Sequence, residues 1–139
     1  MNWLHWSLLS ALFAGLTAIL AKIGVAHVDS NLATAIRTTV VLVFAWAVAL
    51  ATSPIASVLT LPKRTWLFLS LSGLATGLSW LCYFRALQLG EASKVAPIDK
   101  LSVVFVLLLA ALFLGEALTP KTMLGGTLIA AGAVVLALK

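Results

Sequence analysis

Five apolar segments, joined by short connections, fill almost the whole of this 139-residue chain. The chain is 63% hydrophobic and only 9% charged, whereas soluble chains carry about 25% charged residues. A buried helical core in a soluble protein would need polar faces at helical period, and none of these segments has one. The pattern therefore predicts an all-α integral membrane protein with one transmembrane domain over residues 1–139.

Uncharged runs mark where the helices begin and end. Three of them extend from residue 1 to 21, from residue 38 to 62 and from residue 65 to 84. Because a membrane-spanning helix needs about 20 mostly apolar residues, we predict five transmembrane helices, at residues 3–26, 32–52, 65–89, 94–115 and 120–138. Ser30 or Asn31 is available to cap the second helix, and Pro120 suits the first turn of the fifth.

Composition also narrows the chemistry. The net charge of +5 comes from basic residues scattered near helix ends, which favours contact with lipid headgroups over nucleic acid. Cys82 is the only cysteine, and His5 and His27 have no acid or cysteine at ligand spacing, so we expect no disulfide, metal or cofactor. No serine motif, phosphate-binding loop or paired acid supports an enzyme. We therefore expect a non-enzymatic multi-pass protein of the cell (plasma) membrane, in contact with lipid.

The basic residues in the loops and at the ends of the spans give little preference for one orientation in the membrane. They divide three against three, with Lys63, Arg64 and Lys121 on the N-terminal side and Lys22, Lys94 and Lys139 on the other. The positive-inside rule then has almost nothing to act on, although basic residues within the spans tilt the balance toward a cytoplasmic C-terminus. We therefore predict either mixed orientation or a C-inside majority with an oppositely oriented partner.

A weak internal repeat relates the first helical hairpin to the second. Shifting the chain by 63 residues places Trp3 on Trp66 and Lys22 on Arg85. The repeat predicts two helical hairpins followed by an unpaired fifth helix. Because five spans place the chain ends on opposite sides of the bilayer, two antiparallel copies would form the inverted halves of a ten-helix assembly, an architecture found in many transporters.

Four short motifs in the last three helices occur in a characteristic order. They are WLCYFRAL at residues 80–87, ASKVAPI at 92–98, FLGEALT at 113–119 and GGTLIAAG at 125–132. This order resembles the EamA domain of the drug/metabolite transporter superfamily, and the resemblance covers essentially the full chain. Most members of that family carry two such domains in ten helices, whereas this chain carries one. The resemblance therefore implies a half-size transporter that works as a dimer.

The closing motif also resembles the last helix of small multidrug resistance proteins, four-helix relatives that work as antiparallel dimers. Those exporters carry a membrane-embedded glutamate in their first helix, where it binds proton and cation. The corresponding residues 11–17 read ALFAGLT and contain no acid. Proton-coupled cation export through such a carboxylate is therefore not implied for this chain, and the resemblance leaves the substrate open.

Four charged residues are predicted to lie inside spans, where a charge at the bilayer centre costs about 2.5–3.5 kcal/mol. They are Arg37, Arg85, Asp99 and Lys100, and the alternating direction of the helices places all four near the same membrane face. In one interpretation the three cations extend to the headgroups while Asp99 pairs with Arg85. In the other, the four form a polar, net basic vestibule that faces a pocket between protomers.

Further candidates for a substrate pathway lie close to these charges. Pro97 is expected to loosen the start of the fourth helix and to free backbone carbonyls. Ser79, Trp80 and Tyr83 lie one to two turns deeper than Arg85 and would supply an aromatic wall, although packing against lipid or another helix also explains Trp80. The predicted pathway comprises Arg37, Ser79, Trp80, Tyr83, Arg85, Pro97, Asp99 and Lys100.

Small residues mark one face of the fifth helix. Gly125 and Gly132 are seven residues apart, about 700° around a helix of 3.6 residues per turn, so they share a face. Small residues let helices approach closely in a membrane. We predict a dimer seam formed by Gly125, Gly126, Ala130 and Gly132, with packing inside one protomer as the alternative. That internal role is expected instead of Gly73 and Gly77 on the third helix.

Two classes of function fit these features. The first is a secondary transporter that moves a small metabolite or amphipathic compound by alternating access. Its partner would be either a second, antiparallel copy of the same chain (a homodimer) or a second short EamA-like chain. The second is an accessory subunit of a heteromeric membrane complex, such as a flippase for lipid-linked sugars. Transport by the purified chain alone would favour the first class.

Overall fold

The computed structural model describes residues 2–138, which are almost entirely helical and contain no strand. Five stretches are long and apolar enough to cross a membrane, so the predicted all-α fold with five spans is confirmed. The elements are α1 (Trp3–Gly24), α2 (Ser30–Thr52), α3 (Ala56–Leu59), α4 (Lys63–Leu89), α5 (Ala92–Asp99), α6 (Ser102–Leu109), a π-helical turn (Ala110–Leu114) and α7 (Pro120–Ala137). Lys139, counted above among the basic residues, lies outside the described residues.

The ends of the spans agree with the predicted boundaries to within two residues, but the predicted cap of α2 is wrong. Oδ1 of Asp29 accepts hydrogen bonds from the backbone N–H groups of Asn31 (2.9 Å) and Leu32 (3.1 Å). Ser30 is instead the first helical residue. A carboxylate satisfies these donors and also interacts favourably with the helix dipole. Pro120 begins α7, as predicted.

The fourth span, Ala92–Leu114, is interrupted between α5 and α6. Pro97 has no backbone N–H, so one helical hydrogen bond is missing there. Farther on, the N–H of Lys100 donates to the carbonyl oxygen of Pro97, and that of Leu101 donates to Ile98, each at 3.0 Å. These bonds reach back three residues, the tighter 3₁₀ pattern. The helix is thus loosened as expected, but the interruption lies three to four residues beyond the proline.

The same span ends in the π-helical turn Ala110–Leu114. The backbone N–H groups of Gly115 and Glu116 both donate to the carbonyl oxygen of Ala110, the second at 3.2 Å. Gly115 has a φ of +68°, a left-handed conformation that glycine adopts without steric cost. The chain therefore leaves the span abruptly, and Glu116 is exposed in the loop before α7.

The residues divide into two compact units, each described by itself. The first comprises the residues up to Lys22 together with those from Leu89 onward. Within it, α5 and α6 pack against α7. Nζ of Lys22 donates a hydrogen bond to the carbonyl oxygen of Gly90 at 2.8 Å, which joins the end of α1 to the start of the loop before α5.

The second unit is Ile23–Gln88, and it contains α2, α3 and nearly all of α4. Nε2 of Gln88 donates to the carbonyl oxygen of Val28 at 3.0 Å. This bond ties the end of α4 to the turn that precedes α2, so these two helices run in opposite directions from a common level.

Most large apolar side chains of the described residues are exposed. Trp3 is 78% and Leu112 is 74% exposed, whereas few large side chains, such as Phe84 and Leu87, are buried. An apolar exterior of this extent needs lipid or another chain to cover it. The architecture is that of a multi-pass integral membrane protein.

Candidate functional site

An arginine stacked on two aromatic rings is the most distinctive side-chain cluster of the unit Ile23–Gln88. The guanidinium carbon of Arg37 lies 4.2 Å from the centroid of the Trp80 ring and 5.5 Å from that of Phe84. We call these three residues the aromatic clamp. The attraction of a ring face for a cation is worth about 0.5–2 kcal/mol, and most where water is excluded. The rings therefore offset part of the cost of keeping this charge inside a span.

Helical spacing explains why these residues meet. Trp80, Phe84 and Leu87 recur at intervals of four and three residues, so they share one face of α4, and Phe84 and Leu87 are buried (3% and 0% exposed). On α2, Thr34 is buried and lies one turn before Arg37. Phe84 was not among the residues predicted for the site, although its spacing of four residues from Trp80 places it on the same face of α4.

The guanidinium of Arg37 is held well below the end of its helix. Arg37 follows Ser30 by seven residues, about 10 Å at 1.5 Å per residue. On the opposite helix, Trp80 precedes Leu89 by nine residues, about 13 Å, and Phe84 lies nearer the end, at about 8 Å. Since the guanidinium is closer to the deeper ring, it does not reach toward the helix ends as a snorkelling arginine would.

The other candidates on α4 lie on different faces or have local partners. Tyr83 is half-buried and lies about 60° from Trp80 around the helix, on the side of the aromatic clamp. Ser79 and Arg85 are exposed and lie about 100° and 140° from Trp80. Nη1 of Arg85 donates to Oε1 of Gln88 at 2.6 Å. The structure thus brings together Arg37 and Trp80, with Tyr83 beside them.

The candidates on the fourth span belong to the other unit and cluster where that span is interrupted. Asp99 ends α5, and its Oδ2 lies 3.3 Å from Nζ of Lys100. Asp99, which one of the two interpretations paired with Arg85, thus forms a salt bridge with its sequence neighbour. Pro97 is half-buried in the preceding turn. Across residues 2–138, no three His, Cys, Asp or Glu side chains are grouped so that they could hold a metal ion.

The four small residues predicted for the dimer seam have different environments. A Cβ added at Gly126 would lie 2.8 Å from Cδ1 of Leu107, so this glycine allows α7 to approach α6 inside the protomer. Ala130 lines an apolar cleft beside that contact. A Cβ at Gly125 or Gly132 would meet nothing within 4 Å. Of the four, these two keep a face that is open to another chain.

The glycine pair of α4 is also open. A Cβ added at Gly73 or Gly77 would meet nothing within 4 Å, so no close contact within their own unit supports the packing role expected of them. In a helix that is apolar on all sides, the sequence does not reveal which face turns inward. The pair has the Gly-xxx-Gly spacing typical of helices that associate in membranes.

Comparison with known proteins places the chain in a family. The EamA-like transporter family matches residues 1–138. A protein from Sinorhizobium sp, described as an uncharacterized transporter in the cobO 3' region, is 56% identical over 136 residues, which cover 98% of this chain and 96% of the relative. No solved structure matches the chain. The chain belongs to the EamA-like transporter family and is a membrane transporter of the drug/metabolite type, as the motif order predicts.

Proposed function

We propose that this chain is a secondary transporter that moves a small metabolite or amphipathic compound by alternating access as a dimer of inverted copies. The observation that carries the proposal is the match of a transporter family to a chain with only five spans. With five spans, one copy has its ends on opposite membrane faces, and a second, oppositely oriented copy supplies the inverted half that alternating access uses. The Sinorhizobium relative, 96% of which is covered by the match, is likewise described as a transporter.

The dimer seam is assigned to the face of α7 that carries Gly125 and Gly132. Both positions have open space around the Cα atom, and they share a face because they are two helical turns apart. Gly126 and Ala130 are occupied by contacts and a cleft within the protomer. The seam is therefore narrower than the four residues predicted, and the neighbouring face of α7 holds α6.

The substrate pathway is assigned to polar and aromatic groups held inside the spans. The aromatic clamp holds the side chain of Arg37, whose Cα atom lies about 10 Å along α2 from its start, inside a span, where a lone charge would be unfavourable. The interruption of the fourth span at Asp99 and Lys100 leaves irregular backbone at membrane depth, which membrane proteins tolerate where it is buried in protein or lines a wet cavity. Each of these two features is proposed, by itself, as part of the substrate pathway.

Reconstitution tests the function directly. The purified chain, incorporated into liposomes, should take up at least one compound from a panel of labelled metabolites against a counter-substrate. Gly132→Leu should abolish uptake while leaving membrane insertion intact, because it obstructs the seam. Uptake that is unaffected by Gly132→Leu would contradict the dimer at α7. A terminal reporter that is active on only one side, in cells without a related chain, would contradict mixed orientation.

The alternative function is that of an accessory subunit in a heteromeric complex, such as a lipid-linked-sugar flippase. The open pair Gly73 and Gly77 on α4 favours it, because this is a second small-residue face in addition to that of α7. A second short EamA-like chain would cover it. Absence of uptake by the purified chain, together with uptake after co-expression with such a partner, would establish this alternative.

A further inference from the structure

The guanidinium of Arg37 in the aromatic clamp carries a positive charge and N–H donors that could bind a ligand. The sequence of the unit Ile23–Gln88 contains one acid, Asp29, whose Oδ1 caps α2. Neither of the salt bridges described among residues 2–138, Lys94–Glu91 and Lys100–Asp99, involves Arg37. Its described ring contacts are the faces of Trp80 and Phe84, and it also interacts electrostatically with Tyr83. A ring face attracts the cation but offers no oxygen to the five N–H donors of a guanidinium.

The hydroxyl groups nearest along α2 are already used as donors. Oγ1 of Thr34 donates to the carbonyl oxygen of Ser30, and Oγ1 of Thr38 donates to that of Thr34, each at 2.7 Å. These bonds use the hydroxyl hydrogens within the helix, and no hydrogen bond from Arg37 to either hydroxyl oxygen is described among residues 2–138. A buried or half-buried donor without a partner is costly in a medium of low dielectric constant.

A planar anion with two oxygens would satisfy this group. Arginine binds carboxylate and phosphate through two parallel N–H···O bonds, and such bonds are short and strong because both partners are charged. The rings leave the charge in place and fix the side chain at one depth, so the guanidinium is oriented before a ligand arrives. A cationic substrate would be repelled at this position.

We infer that the aromatic clamp binds the anionic group of the transported compound, so that the substrate class is a small organic carboxylate or phosphate. That the bound anion is a transported substrate rests on the proposed transport function, but anion binding can be measured separately. The same chemistry is offered by an anionic lipid headgroup, and the experiment must separate the two sources.

Trp80 provides the signal for a binding experiment. In full-length protein that carries Trp3→Phe, Trp6→Phe, Trp46→Phe and Trp66→Phe, the remaining tryptophan reports on the clamp. The protein is placed in phosphatidylcholine nanodiscs and titrated at constant ionic strength with benzoate, with neutral benzamide and with benzylammonium. Benzoate should change the emission saturably, and the other two should change it little.

Two variants test the role of the guanidinium. Arg37→Gln should weaken the benzoate response by at least about tenfold, the value of one charge-assisted hydrogen bond. Arg64→Gln is the matched control, since this arginine also lies over a ring, 5.7 Å from the centroid of Phe68, but is exposed in the first turn of α4. Its response should equal that of the parent. No saturable response to benzoate, or an equal response from Arg37→Gln, would overturn the inference.

A measurement on the unsubstituted chain guards against a variant that does not fold. Phenylglyoxal modifies guanidinium groups, and benzoate should slow modification of Arg37 several-fold without slowing that of Arg64, as followed by peptide mass spectrometry. Equal protection of both, or of neither, would also overturn the inference.

Further measurements distinguish a lipid headgroup from a soluble anion, and failure of the anion site from failure of the transport function. A change in Trp80 emission on replacing phosphatidylcholine by phosphatidylglycerol, lost in Arg37→Gln, would assign the anion to a lipid headgroup. Benzoate binding without uptake of any organic anion by liposomes would support the anion site and contradict the proposed transport function. Uptake of cations that is independent of Arg37 would support the transport function and contradict the anion site.

Discussion

Two glycines of α7 show which face of that helix packs inside the protomer. Alanine at Gly126 places a Cβ 2.8 Å from Cδ1 of Leu107, whereas a Cβ at Gly132 meets nothing within 4 Å. Carbon atoms prefer a separation of about 3.5–4.0 Å, so Leu107 must withdraw by about 1 Å. Because Cδ1 is the end of a flexible side chain, the cost should lie near the lower limit for overpacking, about 1 kcal/mol.

Comparing the two variants isolates this cost. Alanine forms helices better than glycine by about 1 kcal/mol, and both positions lie within α7, so that gain is shared. Gly126→Ala should therefore have a free energy of unfolding about 1 kcal/mol lower than Gly132→Ala. Reversible unfolding with dodecyl sulfate in mixed micelles, followed by far-UV circular dichroism, measures the difference. Equal free energies would refute the packing assigned to Leu107.

A double-mutant cycle then identifies the atom responsible. If Cδ1 of Leu107 causes the cost, Leu107→Ala and Gly126→Ala should together destabilise the protein by about 1 kcal/mol less than the sum of the single effects. Strictly additive effects would show that the cost arises elsewhere. Gly132→Leu, by contrast, should weaken cross-linking between copies without changing the stability of the α6–α7 contact.

Three further outcomes are expected from the charged groups inside the spans. Arg37→Ala should lower the transport rate per folded molecule by about tenfold or more, measured in liposomes, whereas Arg64→Ala should leave it unchanged; equal rates for both would remove Arg37 from the pathway. Lys100→Cys, in a Cys82→Ala background, should react with a membrane-impermeant thiol reagent, and labelling from neither side would exclude a wet vestibule there. Asp99→Asn should destabilise the protein by up to about 1 kcal/mol, because it removes a partly exposed salt bridge; an unchanged unfolding midpoint would contradict that.

The spans themselves were predictable because hydropathy and length are properties of single segments. A helix of about 20 apolar residues matches the thickness of the bilayer, and nothing else in the chain competes with that pattern. The cap of α2 was less predictable, since Asp29, Ser30 and Asn31 are all good capping residues. Which of them caps depends on where the turn after Val28 ends, a tertiary feature fixed in part by the bond from Gln88.

The contacts between helices were mostly not predictable. A helix that is apolar on every side gives no periodic signal for its inward face. Gly126 and Gly73 therefore looked alike in the sequence, although one contacts Leu107 and the other faces open space. Phe84 was not predicted because an aromatic residue in a span is equally compatible with contact to lipid and with contact to a cation. Arg37 was identified because its charge is costly in a span whatever its neighbours are.

The π-helical turn Ala110–Leu114 gives the fourth span a local tolerance to changes in chain length. A π turn holds one residue more than the α-helical turn it replaces. Deleting one residue there would let the segment return to α-helical geometry, with the change absorbed before Gly115. The same deletion in the middle of α4, which is α-helical from Lys63 to Leu89, would rotate everything beyond it by about 100°. Deletion of one residue should therefore be accepted at the end of the fourth span and rejected within the third.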